Sequence, residues 1–198
     1  SFIYSDNPKK VKYKDFDIKR ATVIDSTGVW RDEEGLSQHV KNPSVERVLL
    51  TAPGKGKIKN IVFGVNDDKA SPEDKMLAAA SCTTNAIVPA LKLIDDNFKI
   101  VNGHIETVHS FTNDQNLIDN FHPSDRRGRS AALNLVITDT GAAKAVAKIL
   151  PELKGKITAN AIRVPTPNVS LAIISLTVKR GVGVDEVNEC FRKAAFSS

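Results

Sequence analysis

Cysteine is scarce in this sequence, in which Cys82 and Cys190 are the only two among 198 residues. Two cysteines are too few for a disulfide framework, and the sequence contains no C-x-x-C pair of the kind that binds zinc. We therefore expect two free thiols in a reducing compartment, the cytoplasm, and no metal site.

Long hydrophobic runs are missing as well. No segment approaches the run of about 20 apolar residues that spans a membrane, and the first residues, SFIYSDNPKK, lack the apolar core of a signal peptide. We expect neither membrane insertion nor secretion. The chain starts without Met and stops inside a helical pattern at VNECFRKAAFSS, so we expect it to be an interior piece of a longer protein.

Positive charge exceeds negative charge only slightly in this sequence. The 28 Lys and Arg residues are scattered among 23 Asp and Glu residues, which leaves a net charge of +5. A scattered surplus is typical of a solvated surface or of a field that attracts an anionic substrate, so nucleic acid is disfavoured as a partner. The hydrophobic fraction of 41% is enough to build a packed core.

The segments before residue 81 alternate between β-branched runs and a helical pattern. Strands are predicted over 21–25, 48–50 and 61–65, a helix over 32–41, a loop over 52–57 and a short buried run over 77–80. Consecutive strand, helix and strand segments favour a parallel sheet covered by helices. This part of the chain is therefore predicted to be α/β.

Apolar residues recur at helical spacing from residue 86 to 98, and polar residues just before this segment are suited to cap it. The candidate caps are Ser81, Thr83 and Thr84. Cys82 is thus predicted to lie at a helix N-terminus. The remaining elements are strands over 101–112, 157–164 and 169–178, helices over 141–149 and 184–196, and a long loop over 113–129.

A cysteine at a helix N-terminus is placed to be reactive, because the helix dipole and the unpaired backbone N–H groups favour the thiolate. A lone cysteine is more often an inert core residue. Cys82, however, lies among hydroxyls and an amide in the sequence SCTTN, which is unlike an apolar core and suits an anion at a helix start. Cys82 is therefore the candidate nucleophile.

A thiol nucleophile needs a base, and the sequence contains four histidines. His109 lies on a predicted strand that can return beside the helix start, which makes it the candidate base. His39 is in a surface-like helix, His104 points to the other face of the His109 strand, and His122 precedes a proline in a loop. The pattern alone leaves His109 evenly balanced between a base and a structural histidine.

Arginines and threonines are placed as an anionic substrate would need. Arg163 ends an apolar strand, where an unpaired buried charge is costly, and Thr140-Gly141 opens a helix. Arg126, Arg127 and Arg129 cluster at the end of the long loop, where a solvated basic turn is the commoner explanation.

Five motifs in chain order resemble those of one family. They are SCTTN from Ser81, VHSFTNDQ from Val108, RRGRSA from Arg126, TGAAKAV from Thr140 and RVPTPNVS from Arg163. All five resemble signatures of the phosphorylating glyceraldehyde-3-phosphate dehydrogenases. The stretches DSTGVWRDEEGLSQHV and VLLTAPGKG resemble the end of that family's cofactor domain, so the resemblance covers roughly residues 21 to 195.

The resemblance implies a fold and a reaction. Residues 1–81 would form the C-terminal part of a dinucleotide-binding domain with a partial Rossmann-type parallel sheet. Residues 82–198 would form an α+β catalytic domain with a mixed sheet, its C-terminal part missing. The reaction would be the oxidative phosphorylation of glyceraldehyde 3-phosphate to 1,3-bisphosphoglycerate in glycolysis, through a Cys82 thioester with His109 as the base and NAD or NADP as hydride acceptor.

The resemblance also assigns the binding residues. Thr112, Arg127 and Arg163 would hold the phosphate of the aldehyde, and Ser81, Thr83, Thr140 and Gly141 the attacking inorganic phosphate. Thr27, Gly28 and Asn113 would contact the cofactor. The G-x-G-x-x-G turn that seats a pyrophosphate is absent from the chain, so the preference between NAD and NADP stays open. Phe111 stands where many members have Tyr.

Three alternatives stay open. A related enzyme that acts on erythrose 4-phosphate would use the same thiol and phosphate sites. The 198-residue chain by itself would be a non-catalytic, truncated scaffold that still assembles with copies of itself. A thiol hydrolase of unrelated fold is the third. The family is typically tetrameric, so the resemblance implies a homo-oligomer.

Overall fold

The structure is a computed structural model that describes residues 2–138 and 140–196. The chain forms two compact units, of which the first ends at Pro89 and the second begins at Ala90. Each unit contains one four-stranded sheet.

The first unit contains a parallel sheet, as predicted. Its strands are β1 (Ala21–Asp25), β2 (Val45–Leu50), β3 (Lys59–Asn60) and β4 (Met76–Ala78), and helix α1 (Glu33–Val40) connects the first two. The strand order is β1-β2-β4-β3, and every neighbouring pair is parallel. Parallel neighbours need a crossover between them, and α1 is the crossover from β1 to β2.

Capping and burial explain the position of α1. The carboxylate of Asp32 accepts a hydrogen bond from the backbone N–H of Gly35 at 2.9 Å, and Glu33 and Glu34 lie at the positive end of the helix dipole. Leu36 is completely buried in the core of this unit. The other members of this core cluster are Val48, Leu50, Ile58 and Ala78.

The predicted strand over residues 61–65 is wrong, because the structure has a turn there and the strand is the two-residue β3 just before it. The buried side chain of Asn66 accepts a hydrogen bond from the N–H of Val62 at 2.8 Å and donates to the carbonyl of Asn60 at 3.0 Å. Gly64 adopts a φ of 75° between them. A polar side chain that bonds to the nearby backbone thus replaces the strand ladder.

Helix α2 (Cys82–Phe98) begins before residue 86, where the apolar pattern starts. Among the three candidate caps, Ser81 has this role, because its Oγ accepts a hydrogen bond from the backbone N–H of Thr84 at 3.1 Å. Cys82 therefore lies in the first turn, at the predicted helix N-terminus. The buried apolar residues of this helix are Ile87, Val88, Leu91, Ile94 and Phe98.

The second unit contains a mixed sheet. Its strands are β5 (Ile100–Ser110), β6 (Val136–Thr138), β7 (Ile157–Val164) and β8 (Leu171–Val178), and its further helices are α3 (Ala142–Ile149) and α4 (Val184–Phe196). The strand order is β6-β7-β5-β8. Strand β5 is parallel to β7 and antiparallel to β8, and β6 is antiparallel to β7. The predicted α/β fold, a parallel sheet followed by a mixed sheet, is confirmed.

The register of the central strands places the candidate residues. At the end of the parallel pair, His109 on β5 lies opposite Arg163 on β7. Near the start of β5 the neighbouring strand approaches closely: a Cβ at Gly103 would lie 2.4 Å from Cδ2 of Leu176 and 2.8 Å from the carbonyl oxygen of Ser175. Glycine at this point therefore permits the antiparallel pairing of β5 with β8.

Short elements differ from the prediction. Strand β6 was not predicted, since three residues carry too little periodicity to be recognised. Strand β8 begins only after Val169, which adopts a φ of 68° that a strand cannot accommodate. Short 3₁₀ helices lie at Pro8–Lys10, Tyr13–Phe16, Asp67–Lys69, Asp125–Gly128 and Pro151–Leu153. The domain boundary between residues 81 and 82 stays a prediction.

Replacing Leu36 with Ala should lower the free energy of unfolding of the first unit by about 2–5 kcal/mol, because it leaves a cavity in the core. Ile24→Ala is the matched control, since the Ile24 side chain is 64% exposed. Its loss should change the free energy by only about 0.5 kcal/mol. Urea unfolding followed by circular dichroism measures both values, and equal losses would contradict a core centred on Leu36.

Candidate functional site

Cys82 has polar neighbours at the start of α2, where its side chain is exposed. Its Sγ lies 3.9 Å from Oγ1 of Thr83, and the hydroxyl oxygens of Ser81 and Thr84 lie 2.6 Å apart. The helix dipole and these hydroxyls suit a negative charge at this helix start. The predicted residues Ser81, Cys82 and Thr83 therefore lie side by side in an anion-favouring turn.

The backbone that leads into Cys82 is strained. Ala80 adopts a φ of 59°, in the left-handed region that residues with a side chain rarely occupy. Asn85 stabilises this turn, because its Nδ2 donates to the carbonyl oxygens of Ala79 at 2.7 Å and Ser81 at 2.9 Å. The asparagine of the SCTTN motif thus holds the turn that carries the thiol, and strain of this kind concentrates at functional sites.

The predicted cofactor residues Thr27 and Gly28 lie in the loop after β1. Oδ1 of Asp25 accepts hydrogen bonds from the backbone N–H of Thr27 at 2.8 Å and from its hydroxyl at 2.7 Å, and Gly28 adopts a φ of 67°. Open α/β sheets bind ligands beyond the carboxyl ends of their parallel strands. The loop lies at such an end, so it fits part of a dinucleotide site.

His39 is not the surface-like histidine that was expected. Its Nε2 lies 3.0 Å from Oδ2 of Asp25, and the two side chains are 11% and 0% exposed. The buried Nδ1 of His39 has no hydrogen-bond partner among the described residues. We therefore assign the shared proton to Nε2, so that His39 anchors the carboxylate that holds the Thr27 loop.

The ends of β5 and β7 carry the candidate base and a candidate phosphate-binding arginine. Nη1 of Arg163 lies 2.9 Å from Nδ1 of His109 and donates to the carbonyl oxygen of Ser110 at 3.0 Å. Nδ1 of His109 lies 2.6 Å from the same oxygen. One backbone carbonyl therefore contacts both the guanidinium and the imidazole.

A threonine and a carboxylate extend this contact to the second arginine. Nη1 of Arg163 donates to Oγ1 of Thr112 at 3.1 Å. The Thr112 hydroxyl donates to one oxygen of Asp114, whose other oxygen accepts from Nη1 of Arg127. Nε of Arg127 donates to Oγ1 of Thr138 at 3.1 Å. We call this set the phosphate network, and its members are His109, Ser110, Thr112, Asp114, Arg127, Thr138 and Arg163.

Asp114 is ionised within the phosphate network. Partial burial opposes ionisation, but the hydrogen bond from Thr112 and the charges of Arg127 and Arg163 outweigh it, so the pKa of Asp114 lies below its ordinary value. Its Oδ1 lies 4.0 Å from Nη2 of Arg163. A carboxylate that contacts both arginine side chains shows that anionic oxygens are favoured at this point, as a phosphate would supply.

Three predicted site residues of the second unit lie outside the phosphate network. Thr140 and Gly141 precede α3, where the Thr140 hydroxyl accepts from the N–H of Ala142 at 3.1 Å and Gly141 is the N-cap. Asn113 is exposed in the turn after β5. Within the described residues, no hydrogen bond joins Thr140, Gly141 or Asn113 to the phosphate network.

Three members of the phosphate network were missed by the sequence analysis, namely Ser110, Asp114 and Thr138. Ser110 contributes a backbone carbonyl, which no side-chain pattern reveals. Asp114 follows the candidate Thr112 by two positions, and an acidic residue so close to a phosphate-binding threonine was an available signal. Thr138 carries no such signal, because its contact with Arg127 depends on the unpredicted strand β6. The buried pair of Asp25 and His39 was also missed, since its two residues come from different elements.

The described chain offers no preformed metal centre. No group of three or more His, Cys, Asp or Glu side chains suited to a metal ion occurs among residues 2–138 and 140–196. In the same part of the chain, the helices are too short or too polar to cross a membrane.

Comparison with known families places most of these residues in one family domain. Residues 81–198 match the family described as "Glyceraldehyde 3-phosphate dehydrogenase, C-terminal domain". The matched segment includes Cys82 and the whole phosphate network. It also includes all five motifs on which the resemblance was based.

Curated relatives extend the similarity over almost the whole chain. "Glyceraldehyde-3-phosphate dehydrogenase-like protein" of Pseudomonas aeruginosa (strain UCBPP-PA14) is 60% identical over 196 residues, which are 99% of this chain and 42% of that protein. "Glyceraldehyde-3-phosphate dehydrogenase A, chloroplastic" of Zea mays is 46% identical over 189 residues, 96% of this chain and 46% of that protein. "Glyceraldehyde-3-phosphate dehydrogenase 2" of Bacillus subtilis (strain 168) is 42% identical over 195 residues, 98% and 56% respectively.

The chain spans about half the length of these curated relatives. The family match covers the larger part of the chain, and it confirms the resemblance that the five motifs predicted. The chain therefore belongs to the glyceraldehyde 3-phosphate dehydrogenase family.

Proposed function

We propose that this chain supplies the nucleophile, the base and the phosphate-binding residues of a phosphorylating glyceraldehyde-3-phosphate dehydrogenase. The observation that carries the proposal is the phosphate network, in which Arg127 and Arg163 are linked through Thr112 and Asp114, and Arg163 contacts His109. The parts of the relatives that the chain does not span would complete the enzyme.

In the proposed reaction, His109 takes the proton of the Cys82 thiol, the thiolate attacks the aldehyde carbon, and His109 returns the proton to the carbonyl oxygen to give a hemithioacetal. His109 accepts the proton of that hydroxyl while the C–H bond breaks and the hydride leaves. A bound nicotinamide dinucleotide supplies the hydride acceptor. Inorganic phosphate then attacks the thioester carbon, the C–S bond breaks, and Cys82 returns to the thiolate as the acyl phosphate departs.

Charge that develops on the carbonyl oxygen needs fixed donors. We assign this role to the backbone N–H of Cys82 and to the imidazole of His109. Donors that are held in place before the reaction begins stabilise such an oxyanion without reorganising, and this contribution is usually a large part of catalysis.

Two anion sites are assigned. Thr112, Arg127 and Arg163 hold the phosphate of the aldehyde, because guanidinium groups offer charge-assisted, bidentate donors to a dianion. The arginine side chains are 23% and 13% exposed, so their charges are less screened than at the surface. Ser81, Thr83, Thr140 and Gly141 hold the attacking phosphate with hydroxyls and a helix N-terminus. Erythrose 4-phosphate would fit the same sites, and substrate competition separates the two aldehydes.

The remaining assignments concern cofactor, assembly and location. Thr27, Gly28 and Asn113 contact NAD or NADP. Exposed apolar side chains on strands β6 and β8 support assembly into a homo-oligomer, a tetramer by resemblance. They are Ile137, Leu171 and Ile173.

The proposed location is the cytoplasm, where both free thiols would stay reduced.

Cys82 should react with iodoacetamide much faster than Cys190 in a full-length enzyme that contains this chain. Cys82 is exposed at a helix N-terminus, whereas Cys190 is half-buried on α4. Cys82→Ser should abolish dehydrogenase turnover, and Cys190→Ser is the control that should retain it. Peptide mass spectrometry and absorbance of the reduced nicotinamide measure the two effects. Turnover by the Cys82→Ser enzyme would remove this residue from its role.

His109→Asn should slow the chemical step by roughly 100- to 10,000-fold, the usual scale of general acid–base catalysis. His104→Asn is the matched control on the same strand, because His104 is exposed and bonds only to neighbouring β7 side chains in the described contacts. Single-turnover kinetics with glyceraldehyde 3-phosphate measure the step directly. Equal rates in the two variants would mean that another group is the base.

A further inference from the structure

One nitrogen of Arg163 contacts more acceptors than it can bond at once. Nη1 lies 2.9 Å from Nδ1 of His109, 3.0 Å from the carbonyl oxygen of Ser110 and 3.1 Å from Oγ1 of Thr112. A guanidinium Nη carries two hydrogens, so two of these three acceptors can be bonded together. The third contact must be resolved by the position of the proton on the imidazole.

The short contact between His109 and Ser110 decides that position. Nδ1 of His109 lies 2.6 Å from the Ser110 carbonyl oxygen, a separation that two facing lone pairs would not tolerate. We therefore assign the proton to Nδ1, which donates to this carbonyl. The two Nη1 hydrogens of Arg163 then go to Ser110 and Thr112, and Nη1 lies against the edge of the ring.

This assignment leaves the lone pair of His109 on Nε2, which is the arrangement a general base needs. The ring is held on one edge by the Ser110 carbonyl, and that carbonyl is held by Arg163. The Arg163 side chain is 13% exposed, and the strand register fixes its backbone opposite His109. The arginine thus acts on the imidazole through one shared carbonyl oxygen.

We infer that Arg163 is a positioning residue for His109 as well as a contact for the substrate phosphate. The inference rests on the proposed function. A residue that only binds the phosphate would not affect an aldehyde without one. A positioning residue should, so we expect Arg163 to assist the oxidation of an aldehyde that has no phosphate. Arg127 donates to Asp114 and Thr138 in the described hydrogen bonds.

The test uses the full-length enzyme with two substrates, glyceraldehyde 3-phosphate and unphosphorylated glyceraldehyde. Arg163→Lys keeps the charge but loses the planar group that spans Ser110 and Thr112. With unphosphorylated glyceraldehyde we expect kcat to fall roughly 10- to 100-fold with little change in KM, the scale of a misplaced catalytic group. With the phosphorylated substrate KM should rise in addition.

Controls separate positioning from folding. Arg129→Lys changes an arginine of the loop over residues 113–129. Arg129 pairs with Asp119, outside the phosphate network, so this variant should leave both activities as in the wild type. Arg127→Lys should raise KM for the phosphorylated aldehyde, because Arg127 is assigned to the same phosphate site. Arg163→Ala should recover part of its kcat on glyceraldehyde when guanidinium ion is added, with potassium chloride at equal ionic strength as the comparison.

Each outcome has one consequence. A kcat loss on glyceraldehyde at an unchanged melting temperature, with recovery by guanidinium ion, supports the inference. Loss confined to the phosphorylated substrate overturns it and leaves Arg163 as a phosphate contact. A kcat loss with a lowered melting temperature and no recovery also overturns it, as a structural defect. Absence of turnover in the wild-type enzyme would instead reject the proposed function, and the inference with it.

Discussion

The parallel pairing of β5 with β7 is the constraint on which the phosphate network depends. Its register sets His109 opposite Arg163 at the strand ends, and a slip by one residue would turn these side chains to opposite faces. The long loop then returns to the same edge, where the N–H of Asn116 bonds to the carbonyl of Arg127 at 3.2 Å. Through this contact Arg127 reaches Thr138 on β6, the antiparallel neighbour of β7. Three adjacent strands therefore contribute to the phosphate network.

Charge balance within the cluster comes from Asp114. Its pKa is lowered because the Thr112 hydroxyl and two guanidinium groups outweigh the effect of burial. A carboxylate with a lowered folded-state pKa contributes stability that is complete above its unfolded pKa and is lost as the pH falls through the folded value. The stability that the pairing of Asp114 with Arg127 contributes is therefore complete at neutral pH and is lost as the pH falls from the ordinary pKa of aspartate toward the lowered folded-state pKa.

The long, strongly patterned elements were predictable from the sequence, whereas contacts between distant segments were not. Helix α2 and the turn at Cys82 were predicted because apolar periodicity and hydroxyl caps are local signals.

The predicted strand over 61–65 failed because the Asn66 side chain bonds to the nearby backbone, which an apolar run does not reveal. His39 was misjudged because its partner Asp25 lies on β1. Thr138 could not be predicted, because its contact with Arg127 depends on the pairing of β6 with β7. The motifs identified the family. The structure added that the carbonyl oxygen of Ser110 contacts both Arg163 and His109.

We propose that this chain carries its chemistry on Cys82 as a thioester. The most direct measurement is peptide mass spectrometry of the full-length enzyme after it has reacted with glyceraldehyde 3-phosphate and NAD or NADP without inorganic phosphate. Without the attacking phosphate, the acyl group cannot leave by its normal route. We predict a phosphoglyceroyl adduct on the Cys82 peptide that disappears when inorganic phosphate is added. An adduct on Cys190, or reduced nicotinamide formed with no acylated cysteine, would contradict the account.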